Sequence, residues 1–201
     1  MHISEGILPA SVLVTGAVLT IGATALGLNK LEHDKIPQTA ILSSAFFVAS
    51  LIHVPLGPTS VHLLLNGLVG IILGWIAFPA LLIALFLQAI LFQFGGLTVL
   101  GVNTFNMAFP AVVAFYICRP FLRKKSKWAV GVAGALAAVI GVGLAGIFVA
   151  LELAITGQQF IPVAKLVLLA HVPVIIIEAV ITSVALGFIL RAKPEILGVK
   201  V

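Results

Sequence analysis

Residues 61–94 read VHLLLNGLVGIILGWIAFPALLIALFLQAILFQF, a run without a single Asp, Glu, Lys or Arg. A membrane-spanning helix needs about 20 mostly apolar residues, so this run is too long for one span and is expected to hold two. Pro79 lacks a backbone N–H and obstructs a helix interior, which puts the expected break near Phe78-Pro79. Five further apolar runs are expected as helices, at about Pro9–Leu28, Pro37–His53, Thr104–Phe121, Trp128–Thr156 and Ile161–Arg191. Together with Val61–Phe78 and Pro79–Phe94 they make seven. The expected fold is all-α, a polytopic helical bundle in which residues 1–201 form a single integral membrane domain.

Composition supports this reading. Apolar residues make up 62% of the 201 residues and charged residues 8%, against about 25% charged in ordinary globular domains. So little charge cannot cover a water-facing surface, which excludes a soluble domain, a disordered chain and a coiled coil. The single cysteine, Cys118, excludes an intrachain disulfide and any CxxC metal site. No cleavable signal peptide is expected, because Met1–Gly6 lacks a basic leading region.

The net charge of +5 is assigned to membrane orientation and not to nucleic acid. With the N-terminus outside, the inner segments are Asn29–Ile36, the Phe78-Pro79 turn, Cys118–Lys127 and the C-terminal tail. They hold Lys30, Lys35, Arg119, Arg123, Lys124, Lys125, Lys127, Arg191, Lys193 and Lys200, ten of the eleven basic residues. Only Lys165 lies on the other side. Positive charge stays inside, so the expected topology is N-out and C-in. The outer segments then carry Gly, Pro, Asn and His, as a site open to the outside requires. Small residues four apart (Gly16/Thr20, Ala23/Gly27, Gly134/Ala138, Gly141/Ala145) allow close helix approach in lipid, either within the bundle or against a partner.

There is no GxxxxGK[ST] loop for ATP hydrolysis, no Ser/His/Asp order and no HExxH helix, so an enzyme has little to stand on. Among the histidines, His33 reads as a solvated loop residue beside Glu32 and Asp34. His171 and Glu178 share one face of the last helix, with Glu152 a third candidate for a buried cluster that is structural or functional. His2, His53 and His62 belong to the outer side. A free Met1 amine, the His2 amide nitrogen and a His2 ring nitrogen can close a five- and a six-membered chelate ring in one plane. Planar nitrogen donation selects Cu(II), Ni(II) or low-spin Co(II) over Zn, Mg or Ca. A further histidine can supply the fourth corner. The competing reading is a structural or sensory membrane protein with incidental histidines.

Met1-His2-Ile3-Ser4-Glu5-Gly6-Ile7-Leu8-Pro9 closely resembles the MHI-x-[ED]-G-[FIY]-L-P amino terminus of the substrate-binding membrane subunits of energy-coupling-factor transporters for nickel and cobalt, the NikM/CbiM family. Pro58-Thr59-Ser60-Val61-His62-Leu63 resembles the family's TS-x-H segment, and Leu87–Met107 its QALLF-x-x-GGLT-x-LG-x-N-x-x-NM block. The resemblance covers essentially the whole chain. It implies a planar site built from the Met1 amine, the His2 amide and ring nitrogens and His62, with the Gly-rich outer loop closing over it and Asn103 in support. His53 either orients a ligand or ends the second helix. Ser60, Asn66 and Asn106 either support the site or cap and cross-link helices. The resemblance also implies Ni(II) or Co(II) as cargo, no permanent cofactor, and a location in a prokaryotic plasma membrane. Its implied partners are a transmembrane coupling subunit, two cytoplasmic ATPase subunits and a small additional membrane component. The TSVHLLLNG and GVNTFNM wording looks more like the nickel branch.

Overall fold

The computed structural model describes residues 2–122 and 126–198. Its helices are α1 (Ala10–Leu28), α2 (Ile36–Ala49), α3 (Asn66–Leu73), α4 (Ala77–Phe92), α5 (Leu100–Leu122), α6 (Lys127–Thr156) and α7 (Ile161–Ala192). Among the described residues, five helical segments are long and apolar enough to cross a membrane when α3 and α4 are taken as one stretch (Asn66–Phe92). α2, with 14 residues, falls short of the length a span requires. Length and hydropathy alone thus support five candidate spans among the described residues, against the seven expected.

The expectation of an all-α chain is corrected at residues 53–62. His53–Leu56 (β1) and Thr59–His62 (β2) form an antiparallel hairpin in which His53 faces His62 and Leu56 faces Thr59. Gly57 and Pro58 make the two-residue turn, and Gly57 takes the positive φ of 59° that such a turn asks of its first central residue. β-branched Val54, Thr59 and Val61 suit the strands. The second helix accordingly ends at Ala49 rather than His53, and the third begins at Asn66 rather than Val61.

The break inside the long apolar run also moves. It lies at Gly74–Ile76, a 3-10 turn opened by Gly74 at φ 56°, ψ −124°. Pro79 sits in the first turn of α4, where its missing N–H would have had no intrahelical partner anyway. The chain reverses there. Gln88, late in α4, bonds the His2 ring at 2.9 Å, and His62, ahead of α3, has its ring centre 4.7 Å from that ring. A continuous helix from 62 to 88 would separate them by about 39 Å.

α3 is a short central rod wedged between α5 and α6. A methyl on Gly67 would stand 2.5 Å from the Ala137 carbonyl oxygen, and one on Gly70 2.1 Å from that of Ala111. α1 crosses α5 with Gly16 against Val102 and Gly101 against Ala17, and Thr20 donates to the Gly101 carbonyl at 2.6 Å. Gly134 lies on the Ser183 backbone of α7. Gly16, Thr20, Gly27, Gly134, Ala138, Gly141 and Ala145 are all buried. These small residues serve packing within the bundle, where close backbone contact replaces the hydrophobic drive that lipid does not supply.

At the end of the bundle away from His2, the Asn29–Lys35 loop, the Gly74–Ile76 turn, Arg119 and Glu195–Gly198 surround a cavity of about 810 Å³. Lys30, Lys35 and Arg119, three of the basic residues of the expected inner segments, line it. Arg123, Lys124, Lys125 and Lys200 lie outside the described residues.

Candidate metal centre

The N-terminal stretch is threaded into the opposite end and tied down along its main chain. The Ile3 N–H donates to Asn103 Oδ1 at 2.9 Å, and Asn103 Nδ2 donates to the Ile3 carbonyl at 3.1 Å. Ser4 N–H donates to the Pro58 carbonyl of the hairpin turn at 3.0 Å, and Glu5 N–H to the Gly95 carbonyl at 3.1 Å. The Glu5 carboxylate accepts the Thr98 N–H at 2.8 Å and the Thr98 hydroxyl at 3.0 Å, and these bonds hold its pKa below the usual carboxylate value. Gly96 is where this strap lies closest, since a Cβ there would fall 2.1 Å from Glu5 Cγ. Ile3 is completely buried.

His2 and His62 are thereby brought together. Both are buried, at 5% and 3% exposure, with ring centres 4.7 Å apart and planes 31° apart. Burial is the main reason each imidazole is pushed down to a pKa of about 4, so both are neutral near pH 7. Their hydrogen bonds select the tautomers. Gln88 donates its amide N–H to the Phe47 carbonyl at 3.1 Å and to the Ser50 hydroxyl. Its Oε1 therefore accepts, and His2 carries its proton on Nε2. The lone pair of His2 then lies on Nδ1, the ring nitrogen that closes a six-membered chelate with the residue's own amide nitrogen. His62 donates Nδ1–H to the Leu63 carbonyl at 2.8 Å, which puts its lone pair on Nε2. Metal-binding imidazoles are typically oriented by such a bond on the other nitrogen.

Of the remaining sequence candidates, Asn103 is buried and clasps Ile3 as described. Ser60 pairs with Pro55 in β2 and, two residues before His62, shares its face of the strand. His53 sits across the hairpin from His62, bonded through Nδ1 to the Leu51 carbonyl at 3.1 Å and edge-on to Phe94 at 4.3 Å. Met1 lies outside the described residues. Asn66 Nδ2 donates to the Met107 and Gly141 carbonyls, cross-linking α3, α5 and α6. The residues expected as one buried cluster have separate partners. Asn106 donates to Glu152 at 2.7 Å, His171 bonds the Val167 carbonyl at 2.6 Å, and Glu178 accepts main-chain N–H groups of Leu64 and Leu65. His33 is exposed in the loop before α2. Sequence reasoning passed over Gln88. Its signal was a lone amide in an apolar helix facing the interior, but its partner is 86 residues away.

Residues 2–196 match the family model described as "CbiM: Cobalt uptake substrate-specific transmembrane region". The chain belongs to the CbiM family. It is 45% identical over 203 residues to a Haemophilus influenzae protein named for metal transport, covering 98% of this chain and 97% of that one. To the cobalt transport protein CbiM of Kyrpidia tusciae it is 31% identical, covering 98% and 86%. To an Archaeoglobus fulgidus protein named as a fused nickel transport protein NikMN it is 30% identical, covering 100% and 69%. A crystal structure of a truncated transition metal transporter matches with a TM-score of 0.78 at 27% identity, covering 95% of this chain and 99% of that one. This CbiM family member is thus a multi-pass transmembrane component of cobalt or nickel uptake, a transport protein and not an enzyme.

Proposed function

We propose that the protein captures Ni(II) in a square plane of four nitrogens: the Met1 amine, the His2 amide, His2 Nδ1 and His62 Nε2. One observation carries this reading. In a Met1–His2 chelate the amide is the central donor, so the fourth ligand stands next to His2 Nδ1. With metal–nitrogen bonds of about 2 Å, imidazoles on adjacent corners have ring centres about 4.5 Å apart, and on opposite corners about 6 Å. The 4.7 Å between His2 and His62 matches adjacent corners. Cobalt is the second reading, favoured by the family's description as a cobalt uptake region. Ni(II) binds a given nitrogen site more tightly than Co(II), and the wording around His62 and Asn103 resembles the nickel branch. The test is elemental analysis and an absorption spectrum of protein purified with an untagged amino terminus. A yellow, diamagnetic Ni(II) species is expected, and a high-spin octahedral spectrum contradicts the plane.

In this reading the site faces outside in a prokaryotic plasma membrane, with N-out and C-in topology supported by the basic residues at the opposite end. The chain carries no nucleotide-binding loop, so the energy comes from partners: two ATPase subunits, a transmembrane coupling subunit and a small extra membrane subunit. Reconstitution tests this, because uptake should require those subunits and this chain alone should hydrolyse no ATP.

Burial changes the expected pH dependence. Exposed imidazoles would compete with metal below about pH 6.5, but at a pKa of about 4 His2 and His62 hold no proton to release at pH 6. Binding there should release about two protons, from the amine and the amide, against about three and a half with unshifted histidines. Calorimetry in buffers of different ionisation enthalpy reads this number. A value above three would mean that the rings titrate normally.

Gln88→Met keeps the bulk but removes the acceptor that holds the His2 proton on Nε2. Nickel affinity should fall about 10–100-fold in a folded protein. An unchanged Kd would mean that the chelate sets the tautomer without help.

A further inference from the structure

The four residues after the hairpin are held in an uncommon way. α3 begins inside the protein, with Leu64 and Asn66 at 0% exposure and Leu65 between them half-buried, so its first N–H groups need protein partners. No side chain of its own caps it, and the N-cap residue Leu65 has a left-handed backbone, φ 49°, which a non-glycine residue adopts only when its surroundings enforce it. The enforcing group comes from α7. Glu178, 0% exposed, accepts the N–H of Leu65 at 2.8 Å and also that of Leu64. The ion pair among the described residues is Lys35–Glu32, far from Glu178. Main-chain N–H groups at a helix N-terminus compensate one of its oxygens, Oε1, and Oε2 has no hydrogen-bond partner among the described residues.

A buried carboxylate is costly by several kcal/mol, and inside a membrane segment such a residue points to function. What the carboxylate holds is the segment that carries His62. The His62 ring is oriented by the Leu63 carbonyl, and the next two N–H groups are fastened to Glu178. Imidazole, orienting carbonyl and anchor therefore lie within four consecutive residues.

We propose that Glu178 is a positioning residue for the metal site: by gripping Leu64 and Leu65 from the middle of α7, its carboxylate sets the His62 imidazole at the fourth corner of the plane. The proposal rests on the reading of His62 as a ligand.

The test compares Ni(II) spectra and Kd of untagged wild-type protein with Glu178→Ala, Glu178→Asp, Glu178→Gln and His62→Ala, each checked by thermal unfolding in detergent. Glu178→Ala should raise Kd about 10–100-fold and give the altered spectrum of His62→Ala. Glu178→Gln, whose amide oxygen can accept the same two N–H groups, should restore both to within a few-fold of wild type. If Glu178→Ala does not fold, Glu178→Asp decides, since a carboxylate withdrawn by one methylene should fold and still weaken binding. A folded Ala or Asp variant with wild-type spectrum and Kd, beside a His62→Ala variant that has lost them, overturns the positioning role and leaves the metal site standing. A wild type without the planar spectrum overturns the metal site itself, and this inference with it.

Discussion

Adding one residue ahead of Met1 should abolish nickel binding while leaving the fold intact, and His2→Ala should do the same. The extension turns the primary amine into a peptide nitrogen, removes the five-membered chelate ring, and pushes a further residue into the site. The strand cannot slide to compensate. Ile3 is held at both its N–H and its carbonyl by Asn103, Ser4 by Pro58, and Glu5 by Gly95 and Thr98. Together these bonds fix the register of the first residues against α5, the hairpin turn and the Gly95–Thr98 loop. The expected loss is at least about a thousandfold in Kd, about 4 kcal/mol, by calorimetry or metal analysis, with the unfolding temperature of the metal-free protein little changed. An extended protein that binds nickel at wild-type affinity would remove the amine from the ligand set. His2→Ala separates the contributions further, because it keeps the amine and the amide and loses only the ring.

Gly70→Ala should be the most damaging methyl that can be added to the bundle. A Cβ there meets the Ala111 carbonyl oxygen at 2.1 Å and its carbon at 2.5 Å, backbone atoms that cannot swing aside. α3 would have to leave the groove between α5 and α6, carrying the His62 segment with it. A loss of about 3 kcal/mol, or failure to fold, is expected, together with loss of metal binding. Gly22→Ala and Gly187→Ala are the controls. Nothing lies within 4 Å of either added methyl, so each should be neutral or gain up to about 1 kcal/mol from better helix propensity. Thermal unfolding in detergent distinguishes the two classes. Equal midpoints for Gly70→Ala and Gly22→Ala would mean that α3 is not wedged as described.

The site was legible in the sequence to the extent that its donors are local or belong to short motifs. Met1 and His2 are the proposed chelating stretch, His62 sits in a TS-x-H segment, and Asn103 follows the Gly-rich loop. The role of Gln88, and the partners of Glu178 that the grouping with His171 and Glu152 did not give, were not legible because those partners lie 86 and 113 residues away. No spacing along the chain encodes such contacts. Nor does residue type reveal the protonation of the two rings, which burial lowers to a pKa of about 4.

The amino-acid sequence by itself determined that this chain lives in a membrane, because so few charged residues cannot solvate a surface. It also determined that the chain is mostly helical, because long apolar segments have no other way to satisfy their backbone in lipid. The tertiary structure alone decided how residues 53–92 are arranged: a hairpin, a short buried helix and a reversal at Gly74 in place of two plain spans. An apolar run looks the same to a hydropathy pattern whether it crosses lipid or fills the interior of a bundle. Contacts with α5, α6 and α7 made that choice, and with it they brought His62 to His2.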